Sequence, residues 1–383
     1  MSEVSSSAGL APPAHGAVDL LVIAAEHSGD EHAARVVQGV LAAQPGLKVC
    51  ALGGARLHAA GAQLLRNLTG HSALGLAVVT RLSYYRALIA EIVDWIGRHR
   101  PRAVCFVDSS GLNLRIAAGL FAKGYSAKAG GPTKAVYYIS PQVWASRAGR
   151  RFEMAKLLDG LAAIFPFEPE VYADTSLPVE FVGHPFVAPD YAPPVRYDPS
   201  GPVLLLPGSR RSAVARIFPA LLAGYQAWGA QRPAEVLYPG EEILAVLKAA
   251  RPPVGVAFRP TAGSAGVGAS AVLTSSGTMS LHCALAGIPG AIAYRTDLLT
   301  YWIGRSLVKV PYLGIANLLL REPMYPEYLQ GAATPAVLAA ELATCTGDAA
   351  RISRTAVQAG QLRSLLGEAA KRTAPVWLAD YLR

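Results

Sequence analysis

The chain has 383 residues, with 35 Lys and Arg against 26 Asp and Glu, which gives a formal net charge of +9. Hydrophobic residues make up 52% and charged residues 16%, whereas an ordinary soluble domain has roughly 25% charged residues. This composition excludes disorder for most of the chain, and the length predicts two domains. No apolar run approaches the ~18 residues that a transmembrane helix requires. The basic excess fits an anionic membrane or a phosphorylated substrate, and no long Lys/Arg run or RNA-binding aromatic pattern favours nucleic acid.

The N-terminal residues and the cysteines indicate neither secretion nor a metal site. Residues 1–18 are predicted to form a disordered leader, because they lack the basic start and the long apolar centre of a secretory signal. The four cysteines are Cys50, Cys105, Cys283 and Cys345. They are widely spaced and form no CxxC pair, so we expect buried reduced thiols rather than disulfides or metal ligands.

The first half of the chain alternates short β-branched runs with longer amphipathic stretches. Strands are predicted over 20–25, 48–54, 103–108, 135–140, 161–165 and 179–183. The polar residues 26–30 are predicted to form a turn before the first helix, and a long amphipathic helix is predicted over 81–98. Such βαβ alternation predicts a parallel sheet with helices on both faces.

A second domain is predicted after a linker rich in proline. Residues 191–202 have no apolar periodicity, and strand-like runs begin again at Val203 and continue to Arg295. We therefore predict an α/β fold with two doubly wound domains, 19–190 and 203–383, that face a cleft. The terminal helices of the second domain are candidates for crossing back to the first. Ligands of such sheets bind at the carboxyl ends of the strands.

In the first domain, polar residues stand directly after predicted strands. The binding candidates at these positions are Glu26, Ser28, Gly29, Asp30, Asp108, Asn113 and His184. Asp108 ends an apolar strand, and a partly desolvated carboxyl there can have its pKa raised into the range of a general base. A helix cap is the alternative role for Asp108. For His184, a hydrogen bond to the backbone is the alternative to a ligand contact.

In the second domain, two strand-to-helix junctions are predicted to bind anions. In PGSR (207–210), Gly208 allows close backbone approach, and Arg210 offers a bidentate fork for phosphate. Together the two junctions suit a diphosphate, with ordinary caps and a surface arginine as the alternative. The candidates at the two junctions are Gly208, Ser209, Arg210, Ser276, Gly277 and Thr278.

Motifs from about Leu20 to Leu342 follow one another in an order and spacing typical of a known family. They are AEHSGD (25–30), GGARLHAAG (53–61), FVDSSGLNL (106–114), YYISPQVWA (137–145), FPFEPEVY (165–172), FVGHP (181–185), LLPGSR (205–210), SSGTMSL (275–281), AYR (293–295), RSLVK (305–309), AN (316–317) and EYLQ (327–330). Together they resemble the lipid-A-disaccharide synthase family over nearly the whole chain.

The resemblance implies a metal-independent, inverting glycosyltransferase of the GT-B architecture, with two Rossmann-like domains. It implies transfer of 2,3-diacylglucosamine from its UDP form to 2,3-diacylglucosamine 1-phosphate, which yields a β-1,6-linked disaccharide 1-phosphate and UDP. The family's catalytic aspartate falls on Asp108, the base for the acceptor hydroxyl, and its essential arginine falls on Arg210, beside the leaving diphosphate. No cofactor or metal ion is expected besides the UDP-sugar donor.

The matched motifs imply further contacts and also show departures from the family. Nucleotide and sugar contacts are implied near Glu26, Asn317 and residues 276–278, and the remaining candidates in the motifs are Ser140, Trp144, Arg295, Glu327 and Gln330. The family usually has carboxylates at the positions of Gly111, Ala213 and His282, and WAW where this chain has WAS, ending in Ser146. The chain is therefore expected to be a divergent member. Another UDP-sugar transferase, a 2-epimerase, or a non-catalytic nucleotide- or lipid-binding relative remain the alternatives.

The acyl chains of both substrates imply work at a membrane that the chain does not span. The expected location is the cytoplasm, peripherally at the inner membrane, with an anionic membrane surface as a candidate partner. Residues 74–95 are interpreted as an interfacial patch or, equally, as an ordinary helix packed on the core. No nucleic-acid partner is expected, and the oligomeric state is not predicted.

Overall fold

The computed structural model describes residues 9–69, 78–261, 266–296 and 311–383, and the chain divides into two compact units. Unit 1 comprises residues 1–185 together with 369–383, and unit 2 comprises residues 186–368. The boundary therefore lies between Pro185 and Phe186 rather than at residue 190. Residues 369–383 are the segment that returns to the first unit.

Unit 1 is built on a seven-stranded parallel sheet in the order β3-β2-β1-β4-β5-β6-β7. The strands are β1 (Leu20–Ile23), β2 (Val49–Gly53), β3 (Gln63–Asn67), β4 (Ala103–Val107), β5 (Lys134–Tyr138), β6 (Gly160–Ala163) and β7 (Val179–Phe181). Strands β1 and β4 are buried along their whole length, because both faces of a central parallel strand are covered. Their continuous apolar sequences follow from this burial. Edge strand β3 has mostly half-buried side chains and was not predicted.

The helices of unit 1 follow its strands, and two of them begin earlier than predicted. They are α1 (His27–Ala43), α2 (Ala55–Ala59), α3 (Val78–His99), α4 (Ser110–Ala122), α5 (Arg150–Leu157), α6 (Glu168–Val171) and α13 (Ala374–Asp380). The prediction of a turn over 26–30 is wrong. Glu26 is the extended N-cap of α1, and Ser28, Gly29 and Asp30 form its first turn. Residues that favour turns are also common at helix starts, so the local sequence does not separate the two structures.

Unit 2 has a six-stranded parallel sheet in the order β11-β10-β9-β13-β14-β15. Its strands are β9 (Val203–Leu206), β10 (Ala234–Tyr238), β11 (Val256–Pro260), β13 (Ala271–Thr274), β14 (Gly290–Tyr294) and β15 (Glu327–Leu329). Its described helices are α7 (Arg211–Ala227), α8 (Glu241–Ala249), α9 (Thr278–Leu285), α10 (Ile315–Leu320), α11 (Pro335–Gly347) and α12 (Ala349–Gly367). Each sheet begins with the strand order of a Rossmann fold, which confirms the predicted α/β class with two doubly wound domains.

The expected linker 191–202 contains a strand. Strand β8 (Val195–Tyr197) pairs in parallel with β12 (Val267–Ala269) in a separate two-stranded sheet. The Asp198 backbone N–H extends this pairing to the carbonyl of Ala269 at 2.9 Å. Three residues between prolines and a glycine are too short to show a period-2 pattern, so the strand was not predicted.

Part of the expected disordered leader lies against unit 1. The Leu10 backbone N–H donates to Glu91 at 2.6 Å, and the Trp95 indole N–H donates to the carbonyl of Ala11 at 2.9 Å. The Gln63 side chain donates to the carbonyl of Pro12 at 2.9 Å. These partners are distant in sequence, so the leader's own composition did not reveal them. Residues 1–8 lie outside the described residues.

The cysteines are as predicted. All four are buried and none forms a disulfide. Burial raises the pKa of Cys50 to about 11 and that of Cys105 to about 12, so both remain protonated thiols at neutral pH.

Candidate active site

The first turn of α1 and the end of β4 lie against each other at the carboxyl edge of the unit 1 sheet. Strands β1 and β4 are adjacent, with Ile23 opposite Phe106. A methyl group on Gly29 would lie 3.7 Å from the Cβ of Asp108. The first turn of α1 and the residue after β4 are therefore neighbours at this edge, although they are roughly 80 positions apart along the chain. This is expected for adjacent parallel strands.

Asp108 occupies a strained turn that its neighbours hold in place. Asp108 and Ser109 have φ angles of 50° and 42°, in the left-handed region that costs a non-glycine residue about 1–3 kcal/mol. The side-chain amide of the fully buried Asn113 donates to the carbonyls of Val107 at 3.1 Å and Asp108 at 2.9 Å. The Tyr137 hydroxyl also donates to the Asp108 carbonyl. Asn113, predicted as a ligand contact, thus supports the turn from beneath.

The environment of Asp108 suits acid–base chemistry. Burial raises the pKa of its carboxyl, and the nearby carboxylate of Glu26 raises it further, while a hydrogen bond from the Ser109 backbone opposes the rise. The alternative role as a helix cap is not supported, because the N-cap of α4 is Ser109, which makes no side-chain capping bond. A half-buried carboxyl with a raised pKa at a sheet edge is a candidate general base.

We predict that the Glu26→Gln variant shifts the acidic limb of the pH–rate profile to lower pH. A general base works only when deprotonated, so kcat/KM of the wild type falls as the pH drops through the raised pKa of Asp108. Removing the Glu26 charge removes one cause of the elevation. The measurement is kcat/KM from pH 4 to 8 for both enzymes, and only the position of the limb is compared. An unchanged limb would show that Glu26 does not act on the titrating group.

Asp30 is part of the fold rather than of a ligand site. Its carboxylate is 2% exposed and accepts backbone N–H bonds from Gly54 at 2.7 Å, Arg56 at 3.0 Å and Leu57 at 3.3 Å. These bonds satisfy the first turn of α2, whose own N-cap residue is a glycine. The sequence-based assignment of Asp30 to the binding site is thus not supported, whereas Glu26 and Ser28 are exposed at the edge.

Ser140 and Trp144 contact a buried glutamate that the sequence analysis missed, and His184 packs on a phenylalanine beside it. Glu168 is 0% exposed and accepts backbone N–H bonds from Ile164 at 3.1 Å and Phe165 at 3.0 Å. The Trp144 indole N–H donates to its other oxygen at 3.3 Å. Burial raises the pKa of Glu168 to about 7, against the hydrogen bonds that lower it, among them one with Ser140. His184 is 4% exposed, with its ring 5.3 Å from that of Phe165.

The missed glutamate had a weak sequence signal. In FPFEPEVY it stands among aromatic residues and prolines directly after a strand, which is a poor setting for a solvated charge. An acidic residue in an apolar run at a strand end is a candidate for a perturbed carboxyl.

Two adjacent strands, β9 and β13, lead to helix starts at the carboxyl edge of the unit 2 sheet. Strand β9 leads through Gly208 and Ser209 to Arg210, the exposed N-cap of α7, and β13 leads through Ser276 to Gly277, the N-cap of α9. Neither helix start has a side-chain cap. Gly208 has a φ of 105°, and a methyl group there would meet the Ser275 hydroxyl at 3.1 Å. The glycine thus brings two uncapped helix N-termini together, an arrangement that favours an anion.

Arg295 and Gln330 follow the next two strands of this edge. Arg295 donates to the carbonyl of Ala333 at 2.7 Å, and the Gln330 side chain accepts from the Thr296 backbone N–H at 3.2 Å. Among the described residues, neither the Arg295 Nε nor the Gln330 Nε2 has a hydrogen-bond partner, although both are buried. Both predicted residues therefore lie at this edge, each with one buried donor that no described residue satisfies.

Asn317 and Glu327 form an internal network. Asn317 is 0% exposed, and its amide donates to the Tyr325 carbonyl at 2.7 Å and to Glu327 at 2.8 Å. Glu327 also accepts the backbone N–H groups of Leu313 and Gly314, both at 2.9 Å. The predicted nucleotide contact at Asn317 is not supported, because its side chain is enclosed. The two residues shape the loop before α10.

The three positions that lack a usual carboxylate differ in their surroundings. His282 is 6% exposed and stacks on Phe186 at 3.9 Å, and its Nε2 lies 3.2 Å from the Tyr191 hydroxyl. Ala213 is half-buried against the unit 2 core. A methyl group on Gly111 would meet nothing within 4 Å. A first side-chain atom is therefore free of close contacts at Gly111, whereas the His282 ring is enclosed by aromatic neighbours.

Comparisons with known proteins match nearly the whole chain, including both units. The family model described as lipid-A-disaccharide synthetase matches residues 20–378. The chain belongs to this family. It is 31% identical over 373 residues to a lipid-A-disaccharide synthase of Geobacter metallireducens, with 91% of this chain and 93% of the relative covered. The sequence-based assignment to the lipid-A-disaccharide synthase family is thus confirmed, and the chain is a glycosyltransferase.

Solved structures support the fold of this lipid-A-disaccharide synthase family member. A putative UDP-N-acetylglucosamine 2-epimerase from Listeria monocytogenes has a TM-score of 0.61 at 11% identity, with 95% of each chain covered. The calicheamicin glycosyltransferase CalG4 has a TM-score of 0.55 at 15% identity, with 95% of this chain and 98% of that chain covered. At these identities the likeness establishes the GT-B fold alone, with its two Rossmann-like domains.

Proposed function

We propose that the chain transfers 2,3-diacylglucosamine from its UDP form to 2,3-diacylglucosamine 1-phosphate, releasing UDP and the β-1,6-linked disaccharide 1-phosphate. The observation that carries the proposal is the Asp108 carboxyl, which lies at the carboxyl edge of the unit 1 sheet and has a raised pKa. The chain's membership of the lipid-A-disaccharide synthase family agrees with this role. The acceptor hydroxyl needs a base, and this carboxyl is the candidate in unit 1.

The proposed reaction is a single displacement at C1 of the donor sugar. The acceptor oxygen attacks C1 as its proton passes to Asp108, and the bond between C1 and the diphosphate oxygen breaks. UDP leaves with the bonding electrons, and the configuration at C1 inverts. Asp108 afterwards returns its proton to solvent.

The unit 2 edge is the proposed site of the leaving diphosphate. Arg210 offers a planar fork for phosphate oxygens, and the uncapped starts of α7 and α9 offer backbone N–H groups. Preorganised donors of this kind stabilise the charge that grows on the leaving group. Among the described residues, no group of three or more His, Cys, Asp or Glu side chains could hold a metal ion. The proposal assigns the diphosphate charge to Arg210 and the helix starts and, as the family resemblance implies, involves no cofactor or metal ion.

Mass spectrometry of the products tests the proposed function. Purified enzyme is incubated with both diacylglucosamine substrates, and UDP release is measured with and without the acceptor. The expected result is the disaccharide 1-phosphate together with UDP release that depends on the acceptor. Conversion of UDP-N-acetylglucosamine to its 2-epimer would favour an epimerase. Transfer of a sugar from another UDP-sugar would favour a different transferase. Tight UDP binding without any turnover would favour a non-catalytic relative. Each of these outcomes contradicts the proposal.

We also propose peripheral binding to the anionic cytoplasmic surface of the inner membrane. No helix of the described residues is long and apolar enough to cross a membrane. The net charge of +9 and the acylated substrates of the proposed reaction support contact with an anionic surface. Residues 74–77 of the candidate patch and the side chains of 78–82 lie outside the described residues. Farther along α3, Leu88, Ile92 and Trp95 are buried in the unit 1 core, so that part is an ordinary packed helix.

We predict that the protein floats with anionic liposomes at low salt and is released at high salt. Salt screens the attraction between the basic protein and the lipid head groups. Liposomes made only of zwitterionic lipid are the control. Absence from the floating fraction at low salt, or equal flotation with both lipids, would contradict an electrostatic membrane contact.

A further inference from the structure

We propose that Trp144 forms a wall of the subsite for the acceptor sugar and that Glu168 is the residue that positions it. The inference rests on the proposed function, because it concerns how unit 1 holds the molecule whose hydroxyl Asp108 deprotonates. It adds a contact residue for the sugar ring and a positioning residue beneath it.

The position of Trp144 along the sheet edge supports the first part. Asp108 follows β4, Trp144 lies in the segment after β5, and Phe165 and Phe167 follow β6. These strands are consecutive neighbours in the sheet, and neighbouring strands lie about 5 Å apart. The strands that precede the aromatic residues are therefore one and two strand spacings from the strand that precedes the proposed base.

The aromatic residues form an ordered cluster that is not closed to solvent. The Trp144 ring meets those of Phe165 and Phe167 edge to face, with centroids 6.2 Å and 5.2 Å apart and interplanar angles of 86°. The two phenyl rings are themselves parallel, with centroids 5.7 Å apart. Trp144 and Phe167 are only half-buried, so part of each ring faces outward. The C–H groups of a pyranose form an apolar face, which packs well on an aromatic ring.

Glu168 fixes the indole from inside the unit. It joins the segment after β5 to the segment after β6, because it accepts from Trp144 on one oxygen and from two backbone N–H groups on the other. A solvated surface glutamate would not be enclosed in this way. The backbone of the first segment is itself constrained, since the β-branched Ile139 has a φ of 66°. Ser140 and Tyr172, whose hydroxyls lie 2.8 Å apart, complete the buried polar group.

A double-mutant cycle with separate kinetics for the two substrates tests the proposal. We expect Trp144→Ala to raise the acceptor KM at least tenfold, with the donor KM unchanged and kcat within threefold. Trp144→Phe, which keeps a ring but loses the N–H, is expected to raise it less. Glu168→Gln is expected to raise the acceptor KM several-fold in the wild-type background and to have no further effect in the Trp144→Ala background, because it acts through the indole. Phe152→Ala, which removes a 52% exposed aromatic ring from the adjacent α5, is the control and is expected to change nothing.

The outcomes separate this inference from the proposed function. An acceptor KM within twofold of wild type in Trp144→Ala overturns the sugar subsite. An equal effect of Glu168→Gln in both backgrounds overturns the positioning role and indicates a general structural one. Acceptor dissociation constants from calorimetry give the same comparison without turnover, so a wild type that binds the acceptor but forms no disaccharide contradicts only the proposed function. A wild type that does not bind the acceptor overturns both. If Glu168→Gln does not fold, Trp144→Phe tests the same hydrogen bond.

Discussion

The Asp108→Asn variant is expected to lose turnover by about 10²- to 10⁴-fold, the usual contribution of a general base, while UDP binding is unchanged. Asparagine keeps the size of the side chain and can still accept the Ser109 backbone hydrogen bond. It also tolerates the left-handed backbone conformation at this position. The loss would therefore report the missing base rather than a collapsed turn. UDP binding persists because the predicted diphosphate site is in unit 2.

Initial rates of disaccharide formation and calorimetric titration with UDP measure the two effects. Asp94→Asn is the matched control, because Asp94 is an exposed carboxylate of the same unit whose ion pair with Lys123 is long, at 4.0 Å. Near-normal turnover of Asp108→Asn would remove Asp108 from the mechanism. A loss of UDP affinity equal to the loss of rate would point to a folding defect.

Removing the guanidinium of Arg210 is expected to lower kcat by about 10²- to 10³-fold, as deletion of one preorganised donor to a developing anion does elsewhere. Arg210→Ala leaves the start of α7 intact, since the side chain of this N-cap residue makes no capping bond. Arg210→Lys is expected to fall between wild type and alanine, because an ammonium keeps the charge but cannot form the bidentate fork.

The measurement is kcat under saturating donor, together with the dissociation constant of UDP. Arg216→Ala, an exposed arginine farther along the same helix, controls for a general loss of positive charge. Equal losses in Arg210→Ala and Arg216→Ala would indicate a nonspecific electrostatic effect. Wild-type kcat in Arg210→Ala would remove this residue from leaving-group stabilisation.

The sheets were largely predictable because central parallel strands are buried on both faces. Strand β4 is fully buried, and its sequence is an unbroken apolar run. The same is true of β9 in unit 2. Among the short or edge strands, β3, β8 and β12 were not predicted, whereas β7 was. β3 is mostly half-buried, and the pairing of β8 with β12 joins residues some 70 positions apart. Three residues carry too little pattern to indicate a strand without their partner.

The gathering of candidate residues at one sheet edge was predictable, but the burial and hydrogen-bond partners of each side chain were not. The rule that ligands bind at the carboxyl ends of parallel strands correctly brought Glu26 and Asp108 to one edge. It could not distinguish exposed Glu26 from Asp30, which turns inward to three backbone N–H groups of α2. The same limit applies to Asn317, whose amide is enclosed by Tyr325 and Glu327.

The sequence by itself determined the family, the α/β class and the two candidate catalytic residues, Asp108 and Arg210. These follow from local patterns, namely apolar runs, strand-end motifs and their spacing along the chain. Only the tertiary structure decided that residues 369–383 return to unit 1 and that Glu168 lies buried beneath Trp144. The reason is physical. Burial and hydrogen-bond partners depend on which distant segments meet, and that information is not contained in any single stretch of residues.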